Sequence, residues 1–252
     1  MRKVLFLPIL FAALAAAAQA PPADTARRAQ ALARSVEARY LPARTLQATF
    51  LERYSEARGH IRLESGTVFF SRPGRMRWEY EAPEKKLFLV DGKNVWFYVP
   101  ADRTVTRVPA KQSDDWRTPL ALLTGKAKLS RLCARIELAS DVPAAPGNSV
   151  LRCLPRTQPR VLPRANSGAN SSADPAPVAL DPLASGDTVN EILLEVVPST
   201  GELARVLVRE SAGIEIEFRF ANWQWNPPLP EALFHFQAPG GVAIVSAPSS
   251  LR

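Results

Sequence analysis

The chain has 252 residues, of which 46% are hydrophobic and 22% charged, with a formal net charge of +8. That supports a packed core and argues against global disorder. Its 23 prolines, nearly twice the ordinary share of ~5%, argue against a fold made mostly of long helices. Two histidines and two cysteines leave almost nothing for a histidine–cysteine zinc site. No run of five like charges suggests a nucleic-acid-binding tail.

The first stretch reads as a leader. Arg2 and Lys3 precede the apolar run Val4 to Ala18, and small residues follow. That is the pattern of a secretory signal peptide over residues 1–20, with cleavage after Ala18 or Ala20. The apolar run is shorter than the ~20 residues a membrane span needs. Losing Arg2 and Lys3 takes the charge from +8 to +6. The expected product is an exported chain, 21–252, forming one domain outside the cytoplasm.

From Ala23 to Tyr40 the spacing predicts a helix. Ala29, Leu32, Ala33, Val36 and Tyr40 share one face, arginines occupy the others, and Pro42 ends it. After Thr45 the period shifts to two. Strands are predicted at Leu46–Phe50, Gly66–Phe70, Arg75–Tyr80, Leu87–Val90, Val95–Val99 and Thr104–Val108, with a hairpin signal at Asp91-Gly92. Ser113-Asp114-Asp115 offers a helix start before Trp116–Leu123, and Gly125 offers a stop. Further strands are predicted at Leu132–Leu138 and Val150–Leu154. The segment from about 155 to 190 is rich in Pro, Ser, Asn and Ala, has no periodic apolar pattern, and reads as a flexible insertion. Strands resume at Glu191–Val197, Leu203–Arg209 and Ile214–Phe220, with a last one near Leu233–Gln237. Nine to eleven strands with short turns predict a mainly β (α+β) fold: one large curved antiparallel sheet or partly closed barrel. Its apolar face must be filled by helices or by a ligand.

Several blocks resemble the periplasmic outer-membrane lipoprotein carrier proteins, the LolA family. They are Gly66-Thr67-Val68-Phe69-Phe70-Ser71-Arg72-Pro73-Gly74-Arg75-Met76-Arg77-Trp78-Glu79-Tyr80-Glu81-Ala82-Pro83, then Leu89 to Tyr98, Thr118 to Leu123, and Phe234 to Val242. Their order along the chain is that of the family. The resemblance implies an unclosed antiparallel β-barrel, with an N-terminal helix and short lid helices over an apolar cavity. It implies a periplasmic carrier without catalytic residues, metal or cofactor. Acylated lipoproteins would be the cargo, received from an inner-membrane lipoprotein-releasing ABC transporter and passed to an outer-membrane receptor or the membrane itself. Nucleic acid is not an expected partner, and a monomer is expected. The insertion at 155–190 exceeds the family's usual connection, and Met76 stands where the family often has an aromatic residue.

An acyl chain of about 15 methylenes costs on the order of 12 kcal/mol to hold in water, at ~0.8 kcal/mol per CH2. A carrier therefore needs an apolar wall of that scale and a weakly held lid. Alternation and family position nominate Phe50, Val68, Phe70, Met76, Trp78, Leu87 and Leu89 for the wall. The same residues would also serve as ordinary core, and in an empty closed carrier both hold. The resemblance places Arg72 beneath the lid, where its donors can hold backbone carbonyls, with Trp116 and Leu120 on the lid's inner side. Readings of another class remain: a carrier of another lipid or glycolipid, or a periplasmic regulator of the same fold that senses lipids or lipoproteins. His60 and His235 have no neighbouring nucleophile or carboxylate pattern, and no phosphate-loop or nucleophile-elbow motif occurs, so an enzyme is not expected.

Cys133 and Cys153 fall in neighbouring predicted strands. A hairpin centred near residue 143 sets them directly opposite, with Cα atoms ~4.5 Å apart, near the lower end of disulfide geometry. Export favours a structural bond; two free buried thiols are the alternative.

Overall fold

The structure is a computed structural model that describes residues 23–57, 59–110, 122–125, 127–156, 189–211 and 213–246. The expected leader and its cleavage sites, Trp116, Leu120 and most of the expected insertion lie outside the described residues.

Helix α1 spans Ala23–Tyr40. Its buried face is Ala29, Leu32, Ala33, Val36 and Tyr40, the five positions selected by spacing. The strands are β1 (Thr45–Ser55), β2 (Ile61–Ser71), β3 (Arg75–Ala82), β4 (Lys86–Val90), β5 (Asn94–Val99), β6 (Thr104–Pro109), β7 (Cys133–Leu138), β8 (Ser149–Pro155), β9 (Val189–Val197), β10 (Glu202–Glu210), β11 (Glu215–Trp225) and β12 (Ala243–Ser246). A helical turn α2 (Leu129–Leu132) precedes β7, and a 3-10 turn covers Glu231–Phe234.

All twelve strands form one sheet in the order β12-β6-β5-β4-β3-β2-β1-β11-β10-β9-β8-β7. Two meanders are joined where β1 pairs with β11. Every pairing is antiparallel except β12 on β6. The end strands β7 and β12 are not paired with each other, so the sheet is an unclosed barrel.

Side chains alternate between the two faces. The inner face carries Leu46, Ala48 and Phe50 of β1, Val68 and Phe70 of β2, Met76, Trp78 and Tyr80 of β3, and Ile216, Phe218 and Phe220 of β11, all buried in one cluster with α1. The helix packs across β7, β8 and β10. Tyr40 fixes its end: the Leu203 N–H donates to the Tyr40 hydroxyl at 3.0 Å, and the ring meets Trp223 edge-on at 5.4 Å. Arg39 leaves the solvated face to pair with Glu202 at 2.9 Å and to lie 3.7 Å over Trp225; Arg27, Arg28 and Arg34 are exposed.

Gly66 lies on the inner face of β2, opposite Tyr80. A Cβ there would stand 1.8 Å from the Glu79 carbonyl oxygen, so the close approach of β2 and β3 needs glycine.

Three expectations require correction. No strand forms at Leu233–Gln237; that stretch enters through the 3-10 turn, and the last strand is β12. Its alternating aromatics arise from packing on the outer face, where Phe236 stacks on Trp96 at 5.0 Å and Arg75 lies 5.4 Å from the Phe234 ring centroid. Second, Leu87 and Leu89 are not on the inner wall. Their partners are Glu79 and Arg77, whereas Phe88 and Val90 pair with Trp78 and Met76. Leu89 is buried on the outer face, the side covered by the C-terminal segment. Third, the β7–β8 hairpin does not set the cysteines opposite each other. Cys153 is level with Ile136 and Cys133 with Pro155, with a bulge between Cys133 and Arg135. Cys133 and Cys153 are nevertheless joined in a disulfide, with Cα atoms 5.3 Å apart; the bulge draws them together across the diagonal.

Candidate functional site

The inner wall is a band of aromatic rings crossing four strands. Alternation on β1, β3 and β11 points Phe50, Trp78, Tyr80, Phe218 and Phe220 to one side. Phe50 meets Trp78 at 4.7 Å and Tyr80 at 5.1 Å. Trp78 continues to Phe218 at 5.1 Å and Phe220 at 6.2 Å, and stands edge-on to Phe70 at 6.3 Å. Phe220 leads to Trp223 at 5.2 Å, hence to Tyr40 under the end of α1. Of the seven expected wall residues, the structure brings Phe50, Val68, Phe70, Met76 and Trp78 together in this layer. Phe88, Val90, Phe218 and Phe220 belong with them and were not nominated. The Ile214–Phe220 alternation carried the signal for the β11 pair, but nothing local told which face met β1.

One end of this wall is held by Arg72, in the turn between β2 and β3. Its Nη1 donates to the Tyr40 carbonyl and, at 3.2 Å, to the Ala43 carbonyl; its Nη2 donates to Leu122 O at 3.1 Å. The side chain therefore ties the C-terminal end of α1 to the turn at 122–125. Burial pulls the guanidinium's pKa down, opposing part of what the bonds contribute. Gly125, at φ +74°, closes this turn; a Cβ on it would stand 2.3 Å from Arg72 Nε. A side chain there would strain the backbone and collide with the guanidinium. Trp116 and Leu120, expected beside Arg72 on the lid, lie outside the described residues.

The other end of the wall is polar. Glu52 and Glu64 are cross-strand partners on β1 and β2, and both are buried. Glu64 pairs with Lys86 and with Arg62 at 3.4 Å. Glu52 Oε2 accepts from the Tyr80 hydroxyl at 2.8 Å. Burial raises the Glu52 carboxyl to about 7. The Tyr80 bond, Arg62 and Lys86 oppose that rise, and Glu64 adds to it. Beyond this end, a pocket of about 440 Å³ opens among Leu154, Asn190, Arg209, Ile214 and their neighbours.

The wall is thus a layer of apolar rings with the Arg72 hydrogen bonds at one end and buried charges at the other, a surface whose chemistry suits hydrocarbon. Among the described residues no group of three or more His, Cys, Asp or Glu side chains could hold a metal ion.

Fold and wall together define a mainly β cup with a greasy inner face and a helix across it. The comparisons with known proteins give this class a family. The family described as outer membrane lipoprotein carrier protein LolA matches residues 42–145. An outer-membrane lipoprotein carrier protein of Bordetella avium is 30% identical over 182 residues, covering 72% of this chain and 71% of its own. One of Nitrosospira multiformis is 27% identical over 208 residues, covering 81% and 83%. A crystal structure of a LolA superfamily protein from Nitrosomonas europaea aligns with a TM-score of 0.41 at 13% identity, over 82% of this chain and 97% of that one. The chain belongs to the outer-membrane lipoprotein carrier family.

Proposed function

We propose that this protein is a periplasmic carrier that holds the acyl chains of lipoproteins against its inner wall and shuttles them from the inner membrane to the outer membrane. The observation that carries this reading is the aromatic band of Phe50, Trp78, Phe218 and Phe220 on the inner face of a sheet that is not closed. Rings that fill the empty cup can move aside and exchange ring–ring contact for ring–chain contact at little net cost, because both are apolar. Arg72 supplies the latch: its bonds to Tyr40, Ala43 and Leu122 hold the end of α1 and the 122–125 turn in the closed form. The inner-membrane ABC transporter would load this form, and an outer-membrane receptor or the membrane would unload it.

Mass spectrometry of lipids retained by protein purified from its native periplasm tests the cargo. Acylated lipoproteins are the expected finding. Consistent recovery of a different lipid, such as a glycolipid, would replace lipoprotein as the cargo and leave the wall's role intact. A protein that retains no lipid and takes up no acyl probe would overturn the reading.

A further inference from the structure

Two buried polar atoms interrupt the apolar wall without a hydrogen-bond partner among the described residues: Glu52 Oε1 and Trp78 Nε1. The two residues are 1% and 2% exposed. Glu52 Oε1 accepts when the carboxyl is ionised, and Trp78 Nε1 donates. The Phe50 ring bridges them, touching Trp78 at 4.7 Å and, at 5.1 Å, the Tyr80 ring whose hydroxyl holds Glu52. An unmet polar group inside an apolar layer is costly, and folded proteins rarely keep one without a use. A surface built only to shelter hydrocarbon would need neither atom.

We propose that Glu52 and Trp78 form a polar subsite for the linkage at the root of an acyl chain, an amide whose N–H donates to Glu52 Oε1 and a carbonyl that accepts from Trp78 Nε1. This rests on the carrier reading and adds to it that the wall distinguishes acyl amides from bare hydrocarbon. The position suits the task. Glu52 lies where the aromatic band gives way to Glu64, Lys86 and Arg62, so chains can extend along the rings toward Phe70 while their root stays at the polar end. Tyr80 fixes the carboxyl through Oε2 and leaves Oε1 for the ligand.

The test measures displacement of an apolar fluorescent dye by dodecanamide, which carries an N–H donor, and by methyl dodecanoate, which does not. Taking the ratio of the two affinities cancels the common hydrocarbon contribution. In Glu52→Leu the ratio, amide over ester, is expected to fall about ten-fold from its wild-type value, the scale of one hydrogen bond to a carboxyl. Glu52→Gln keeps an acceptor at the same place and is expected to retain most of the preference; it also serves if the leucine variant does not fold. Trp78→Phe should weaken both ligands together and leave the ratio near wild type. An unchanged ratio in Glu52→Leu, or a ratio in Glu52→Gln as low as that in Glu52→Leu, would overturn the subsite while leaving the carrier reading standing. Failure of both ligands to displace the dye from wild-type protein would overturn both readings.

Discussion

Replacing Arg72 with leucine removes three hydrogen bonds to Tyr40, Ala43 and Leu122 carbonyls. Bonds from a charged donor contribute ~1.5–3 kcal/mol each. Here the guanidinium is half-buried and its pKa is depressed by that burial, so about 1 kcal/mol each is the better figure. The tie is then worth roughly 3 kcal/mol, or about 100-fold in the local opening equilibrium. Backbone bonds from Arg72 N to Arg44 O and from Gly74 N to Thr124 O remain, so the segments should loosen without detaching. Native-state hydrogen exchange reads this directly. The Ala43 amide, bonded to Tyr40 O, and the Gly125 amide, bonded to Leu122 O, should exchange about 100-fold faster, while amides in β10 and β11 keep wild-type rates. A variant so loosened should take up acyl probes readily and release them slowly, because the closed empty form no longer competes with the loaded one. Equal acceleration at every amide would show that Arg72 stabilises the fold as a whole. No acceleration at 43 and 125 would show that it latches nothing.

Phe70 is fully buried, and Phe70→Asp should cost roughly 4 kcal/mol in melting experiments and abolish acyl uptake; a folded variant with normal uptake removes Phe70 from the wall. Glu52 gives a pH signature. Its carboxyl is raised from 4.5 to about 7, so the folded state holds the proton more tightly, and stability falls as pH rises from about 4.5 to about 7, then levels. The full change is about 3 kcal/mol. Urea midpoints at pH 5 and pH 8 should differ less in Glu52→Gln than in wild type; the same difference in both would show that another group sets the slope. The Cys133–Cys153 bond closes a 20-residue separation and should contribute up to ~3 kcal/mol. Two reactive thiols per chain in denatured, unreduced protein would refute it.

Helix α1 was legible to the residue because three independent signals agree: a 3.6-residue apolar stripe, Pro42 beyond its end, and a change to period two at Thr45. The strands from β1 to β6 were legible for the same kind of reason, since Met76, Trp78 and Tyr80 alternate with Arg77 and Glu79. The face of β4 was not. Leu87-Phe88-Leu89-Val90 is apolar at every position because the outer face is itself covered by the segment carrying Phe234 and Phe236, so alternation had nothing to select. Glu52 was invisible for a related reason: it follows Phe50 in the inward period, and a charged residue there reads as the place where the inner face ends. The cysteine register failed because a count of positions between two ends fixes neither the centre of the hairpin, which sets Cys153 opposite Ile136 rather than Cys133, nor the bulge beyond it.

The gap between β7 and β12 bears on capacity. In a closed barrel, strand number and shear fix the radius, and the interior is as wide as that arithmetic allows. A sheet whose end strands do not pair with each other is under no such constraint. Small changes of twist, spread over eleven pairings, can widen or narrow the cup without breaking a single ladder bond. The container is thus elastic where a closed barrel is rigid, and it can shrink onto its own rings when empty or swell around one chain or several.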